Sequence, residues 1–164
     1  MAVGKKTAAG HAGSGNAGPK GSAFPAYQGQ EEFFMKRSEI NAALKEMEQM
    51  IREYRFAIPP FCNFTPEEWK EKGHDYDEIR DNMLGWDITD YGLGDFDKVG
   101  FSLITIRNGN LKMKDKYTKS YAEKLLYIKE GQYSPMHFHW SKMEDIINRG
   151  GGNALIRVYN STKD

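Results

Sequence analysis

His137, His139 and Glu144 stand within one short run, GQYSPMHFHWSKMEDIINRGG, between Gly131 and Gly151. Histidines at i and i+2 share a face wherever the backbone is extended, because side chains alternate along a strand. A carboxylate a few residues on completes three donors for a divalent cation. Two imidazoles and a carboxylate suit borderline to hard ions such as Mn²⁺, Fe²⁺, Co²⁺, Ni²⁺ or Zn²⁺. An ion held this way polarises the carbonyl and hydroxyl oxygens of a substrate. An H-x-H pair also recurs by chance, so the neighbouring elements decide its weight.

Those elements read as strands. From Gly85 the chain is punctuated by glycine and rich in β-branched and aromatic residues. Val99 to Arg107 reads as a first strand, with Asn108-Gly109 as a turn signal. Ser120 to Lys129, Met136 to Trp140, Asp145 to Asn148 and Ala154 to Tyr159 read as four more. Short strands with glycine corners predict an antiparallel sheet that curls into a barrel or jelly roll. The histidine pair would then sit on one face of a barrel strand, and glycines would form the corners beside it.

Helices precede the sheet. Ile40, Ala43, Leu44, Met47, Met50, Ile51 and Tyr54 recur at three- and four-residue steps, which predicts an amphipathic helix over about 39–55 with Ser38 as its N-cap. Pro59 and Pro60 end it. Thr65-Pro66-Glu67-Glu68 predicts a capped helix through Trp69. Asp75 to Met83 predicts another, with Tyr76, Ile79 and Met83 on one side. Residues 1–34 are dominated by Gly, Ala, Ser and Lys and offer little to bury, so they read as a disordered tail or linker, with Met35 as a natural start. His11 lies in that tail and is not a ligand. The expected organisation is a tail over 1–34, a helical arm over 35–84 and the first portion of a barrel over 85–164.

The bulk numbers exclude several classes. A chain of 164 residues forms one domain with a real core. Twenty-three basic residues balance 23 acidic ones, so the formal charge is zero. That argues against a general nucleic-acid or membrane-surface binder. Lys112, Lys114, Lys116 and Lys119 form a local basic run that reads as a solvated connection. Cys62 is the sole cysteine, so no internal disulfide forms, in keeping with a cytoplasmic protein. It reads as a small hydrophobe beside Phe61 and Phe64. No stretch has the apolar length of a membrane span, and no secretory signal is evident.

The spacing Gly-x5-His-x-His-x4-Glu-x6-Gly, at Gly131, His137, His139, Glu144 and Gly151, resembles the first motif of the cupin superfamily. LGWDITDYGLGDF, KSYAEKL and PMHFHWSKMEDIINRGGGN together look like the D-lyxose isomerase family of cupins, from about Met35 to Asn160. The fold class implied is mainly β: an antiparallel cupin-type barrel, or jelly roll, carrying an N-terminal helical arm. The function implied is aldose–ketose isomerisation of D-lyxose to D-xylulose, and of D-mannose to D-fructose, through an enediol. By position, His137, His139 and Glu144 match the family's metal ligands. The resemblance further implies Mn²⁺ as the metal, a small sugar as substrate and a homodimer.

One departure matters. The family's second cupin motif donates a fourth ligand, a histidine, and a later acidic residue moves the proton. This chain ends at Asp164, and its other histidines, His11 and His74, match neither position. The barrel is therefore expected to be incomplete. Two other readings stand beside the isomerase: an inactive or binding-only fragment, and another cupin chemistry such as a dioxygenase or epimerase.

The remaining candidates lie near this motif. Lys124 sits mid-strand in YAEKLLY, where a charge is out of place unless that face is polar or lines a cavity, and the resemblance suggests a lysine in the pocket. An outward-facing lysine is the equal alternative. Glu123 has opposite parity, so only one of the two faces inward. Phe138 and Trp140 would stack on a sugar ring or pack at the barrel mouth. Lys142 and Asp145 lie near the rim and receive no role. Asp87, Asp90, Tyr91, Gly92 and Gly94 read as turn geometry before the first barrel strand.

Overall fold

The computed structural model describes residues 35–140 and 142–160. The tail reading over 1–34, His11 included, lies outside the described residues. The first element is α1, Arg37–Glu53. Its entry differs from expectation: Lys36 is the N-cap, and Glu39 reaches back to accept from the Lys36 amide at 2.7 Å. Ser38 instead lies inside the first turn. Ala43, Leu44, Met47 and Ile51 form the buried stripe. Tyr54, expected on that stripe, is the C-cap and is half exposed.

A 3₁₀ turn, Pro60–Asn63, follows the paired prolines. Helix α2 spans Pro66–Glu71 with the expected reciprocal cap. The Thr65 amide donates to Glu68 Oε2 at 2.7 Å, and the Glu68 amide donates to Thr65 Oγ1 at 3.2 Å. The expected helix from Asp75 to Met83 is shorter. It is a 3₁₀ turn over His74–Tyr76 leading into α3, Asp77–Asp81. Met83 then adopts a positive φ of 54°, which ends the helix.

The sheet has three antiparallel strands in the order β1-β2-β3: Gly85–Thr89, Phe101–Arg107 and Glu123–Tyr127. β1 is not legible in the sequence because its residues merge with the glycine-rich turn after it. Trp86 pairs with Ile104, and Ile104 with Leu125. This row of three faces α1, where Met47, Ile51 and fully buried Ile104 form the core. Burying such side chains contributes roughly 1.5–3 kcal/mol each. Gly100 lets β2 begin against β1. Its φ is +115°, and a Cβ there would lie 1.9 Å from the Thr89 carbonyl oxygen.

Asn108-Gly109 does not close a tight hairpin. β2 and β3 are joined by a long loop clamped to α3. Buried Asn82 donates to the Asn108 carbonyl and accepts from Asn110, while Lys116 and Lys119 pair with Asp81 and Glu78. Two of the four lysines are thus tethers, and the cluster is a surface connection as expected.

The strands expected over 136–140, 145–148 and 154–159 do not form among the described residues. A strand needs a ladder partner for its amides, and these segments have none. Their apolar side chains stay in solvent; Trp140 is 91% exposed and Leu155 98%. The sheet is accordingly open rather than closed into a barrel. The segment still returns to α1. A Cβ on Gly150 would lie 2.7 Å from the Tyr54 ring, and the Arg149 guanidinium stacks 5.8 Å from the Phe56 ring. No described helix is long and apolar enough to cross a membrane.

Candidate metal centre

The segment after β3 carries the three donors. Although no ladder holds it, side chains from Met136 to Trp140 keep strand alternation. The His137 and His139 rings stand 5.0 Å apart on one side, and the Phe138 and Trp140 rings 4.9 Å apart on the other. The chain then bends, and Glu144 comes back to the histidine side. His139 Nε2 lies 3.3 Å from Glu144 Oε2. One donor atom from each of His137, His139 and Glu144 lies within 4.8 Å of the other two. Among the described residues, this is the only cluster of three or more histidine, cysteine or acidic residues able to hold a metal ion.

Two donors on one ion, each bonded at about 2.1 Å, stand no more than about 4.2 Å apart. The His139–Glu144 distance already meets that limit, and the widest spacing needs only a small closure. The donor chemistry also fits a divalent cation, and a three-residue set leaves positions open for substrate oxygens. The residues present therefore fit the group.

His137 Nδ1 lies 2.8 Å from the Pro135 carbonyl oxygen. A carbonyl only accepts, so Nδ1 carries the proton and Nε2 of a neutral ring keeps its lone pair. Lys142, given no role from sequence, binds the second oxygen of Glu144. That hydrogen bond holds the Glu144 carboxyl below its ordinary value; the Lys142 charge and the two histidines add to the effect, and partial burial opposes it. Only a three-dimensional neighbour list identifies Lys142, because i to i+2 spacing in an irregular segment fixes no direction.

Lys124 stands in β3 opposite Thr105, and Leu126 stands opposite Leu103. Leu125 between them packs on the α1 side, so Lys124 lies on the opposite face of the sheet. Glu123 pairs instead with Arg107 at 3.2 Å, across a bulge. Lys124 is exposed and makes no ion pair among the described residues. Phe138 and Trp140 pack edge to face on each other, both exposed. Asp145 is exposed, and His74 pairs with Asp77 far from the cluster in sequence.

Residues 35–164 match the family described as D-lyxose isomerase. The chain is 43% identical over 128 residues to the D-lyxose/D-mannose isomerase of Escherichia coli O157:H7, a match covering 77% of this chain and 56% of the relative. It is 42% identical over 132 residues to the D-lyxose/D-mannose isomerase of Serratia proteamaculans, covering 79% of this chain and 58% of the relative. The chain thus spans a little over half the length of these curated relatives.

Proposed function

The chain belongs to the D-lyxose isomerase family, and we propose that it supplies the metal-binding part of an aldose–ketose isomerase acting on D-lyxose and D-mannose. The reaction moves a proton between C2 and C1 while a second shifts between O1 and O2, passing through an enediol. A divalent cation, Mn²⁺ in this reading, supplies Lewis-acid polarisation of the sugar's C1 and C2 oxygens. His137, His139 and Glu144 would hold it. Nδ1 of His137, committed to Pro135, would leave Nε2 as the donor. Lys124, on the sheet face opposite α1, would steady a sugar oxygen as charge develops. The sugar is a small-molecule substrate, and the working unit in this reading is a homodimer.

The convergence of one donor from each of three residues within 4.8 Å carries this reading. Its test is metal analysis followed by a ketose assay. The chain is expected to take up Mn²⁺ stoichiometrically, and His139→Ala to abolish the uptake. Joined to the remaining part of the Escherichia coli relative's sequence, it should convert D-lyxose to D-xylulose. A joined chain that binds Mn²⁺ but leaves D-lyxose and D-mannose unchanged sinks the isomerase reading. The open sheet and exposed site favour a second reading, a binding-only unit. That one predicts metal uptake with no turnover. Oxygen consumption with Fe²⁺ would point instead to a dioxygenase.

A further inference from the structure

We propose that Tyr91 is a positioning residue for the candidate metal centre, acting through Ser134 and Pro135 to orient His137; this rests on the metal reading above. The DYGLGDF run, which sequence alone reads as turn geometry, is built as a clamp. Buried Asp90 accepts from the Gly92 amide at 2.8 Å and from the Gly94 amide at 3.0 Å. The Tyr91 amide donates to Thr89 Oγ1 at 3.0 Å. Together they hold Tyr91 at a φ of 59°, uncommon for a residue with a side chain. Its ring packs edge-on against Phe101 with centroids 6.0 Å apart, and its hydroxyl lies 2.7 Å from Ser134 Oγ.

The same loop grips the chain just before Ser134. The Gly100 amide donates to the Tyr133 carbonyl at 3.0 Å, and the Tyr133 amide to the Lys98 carbonyl at 2.9 Å. Gln132, itself buried, accepts from the Lys129 amide at 2.8 Å and donates to the Phe96 carbonyl. Residues 129–134 are therefore pinned, and Tyr91 makes the last tie before the histidines.

Ser134 and Pro135 transmit that tie. Pro135 has a fixed φ, and Ser134, preceding a proline, has a restricted backbone. A hold on Ser134 thus passes stiffly to the Pro135 carbonyl. That carbonyl accepts from His137 Nδ1 and decides which ring nitrogen is free. Groups that orient a metal-binding histidine commonly change affinity by roughly 10- to 100-fold, and one bond further out a smaller effect is expected.

The test uses Tyr91→Phe, which keeps the ring on Phe101, and Ser134→Ala. In the metal-free chain, long-range proton–nitrogen spectra should show His137 protonated at Nδ1 in the wild type and as a tautomer mixture in both variants. Free Mn²⁺ measured by electron paramagnetic resonance should report about three- to tenfold weaker binding in each variant. The double variant should be no weaker than either single one, since both remove the same bond. Wild-type tautomer or wild-type affinity in both variants overturns the proposal. So does an additive double variant, or a lowered melting temperature with no change of tautomer. A wild-type chain that takes up no Mn²⁺ sinks the metal reading instead, and the tautomer alone then judges the clamp.

Discussion

His139 Nε2 lies 3.3 Å from Glu144 Oε2, while Lys142 binds the other oxygen of the same carboxylate. The carboxylate is thus divided between a group that would share a metal with it and a cation that would compete. An ammonium beside a divalent ion opposes binding, the more so the lower the local dielectric. Lys142→Met should therefore tighten Mn²⁺ binding, by about two- to tenfold at low salt, and by less at high salt where the charge is screened. Titration of free Mn²⁺ at two ionic strengths checks this. Weaker binding in the variant would show that Lys142 supports the site.

Stability should depend on the α1 side of the sheet. Ile104 is fully buried against Met47 and Ile51, so Ile104→Ala should cost about 2–5 kcal/mol and Ile104→Val about 0.5–1.5 kcal/mol. Leu155 lies in solvent, and Leu155→Ala should change stability by less than about 0.5 kcal/mol. Urea unfolding of the three variants distinguishes the two environments. Equal losses at both positions would place Leu155 in a packed environment.

Acid should release the loop between β2 and β3. The Tyr117 hydroxyl donates to Asp81 at 2.6 Å and Lys116 at 3.0 Å, which holds the Asp81 carboxyl below its ordinary value. A carboxyl depressed on folding adds stability that is present above the unfolded value of about 4 and is lost as pH falls through the lower folded value. Protection of the loop amides, measured relative to the intrinsic exchange rate at each pH, should therefore fall below about pH 4. Asp81→Asn should remove most of that pH dependence. An unchanged acid profile in Asp81→Asn would assign the release to other groups.

Cys62 should be slow to react while the chain is folded. Burial pushes its thiol up to about 11, against the core beside Trp86 and Met47. The thiolate is the nucleophile, so alkylation at pH 8 should run roughly two orders of magnitude below that of a free cysteine. Urea should restore the ordinary rate. Fast labelling of the folded chain would show that this corner opens readily.

Much of the arm is legible in the sequence because its signals are local. The α1 stripe from Ala43 to Ile51 and the Thr65–Glu68 cap each depend on residues three or four apart. β1 is hidden because Gly85 and the turn after Thr89 mask a five-residue strand. The segments at 136–140, 145–148 and 154–159 have residues suited to strands but no ladder to join. Of the site, His137, His139 and Glu144 are legible from type and spacing. The roles of Lys142 and Tyr91 are not, since neither spacing nor residue type reveals a partner brought in by a bend or by a loop far away in sequence.

Sequence alone singled out the candidate donors, the helical arm and the family likeness, because each is written in residue types at short, regular intervals. Tertiary structure decided the rest. It brought Glu144 back to His139, gave its second oxygen to Lys142, and placed Lys124 on the sheet face opposite α1. It also tied Tyr91 to Ser134 across a long stretch of chain. Contacts of that kind depend on how strands register and loops close, and those are fixed only when the whole fold balances chain entropy against burial.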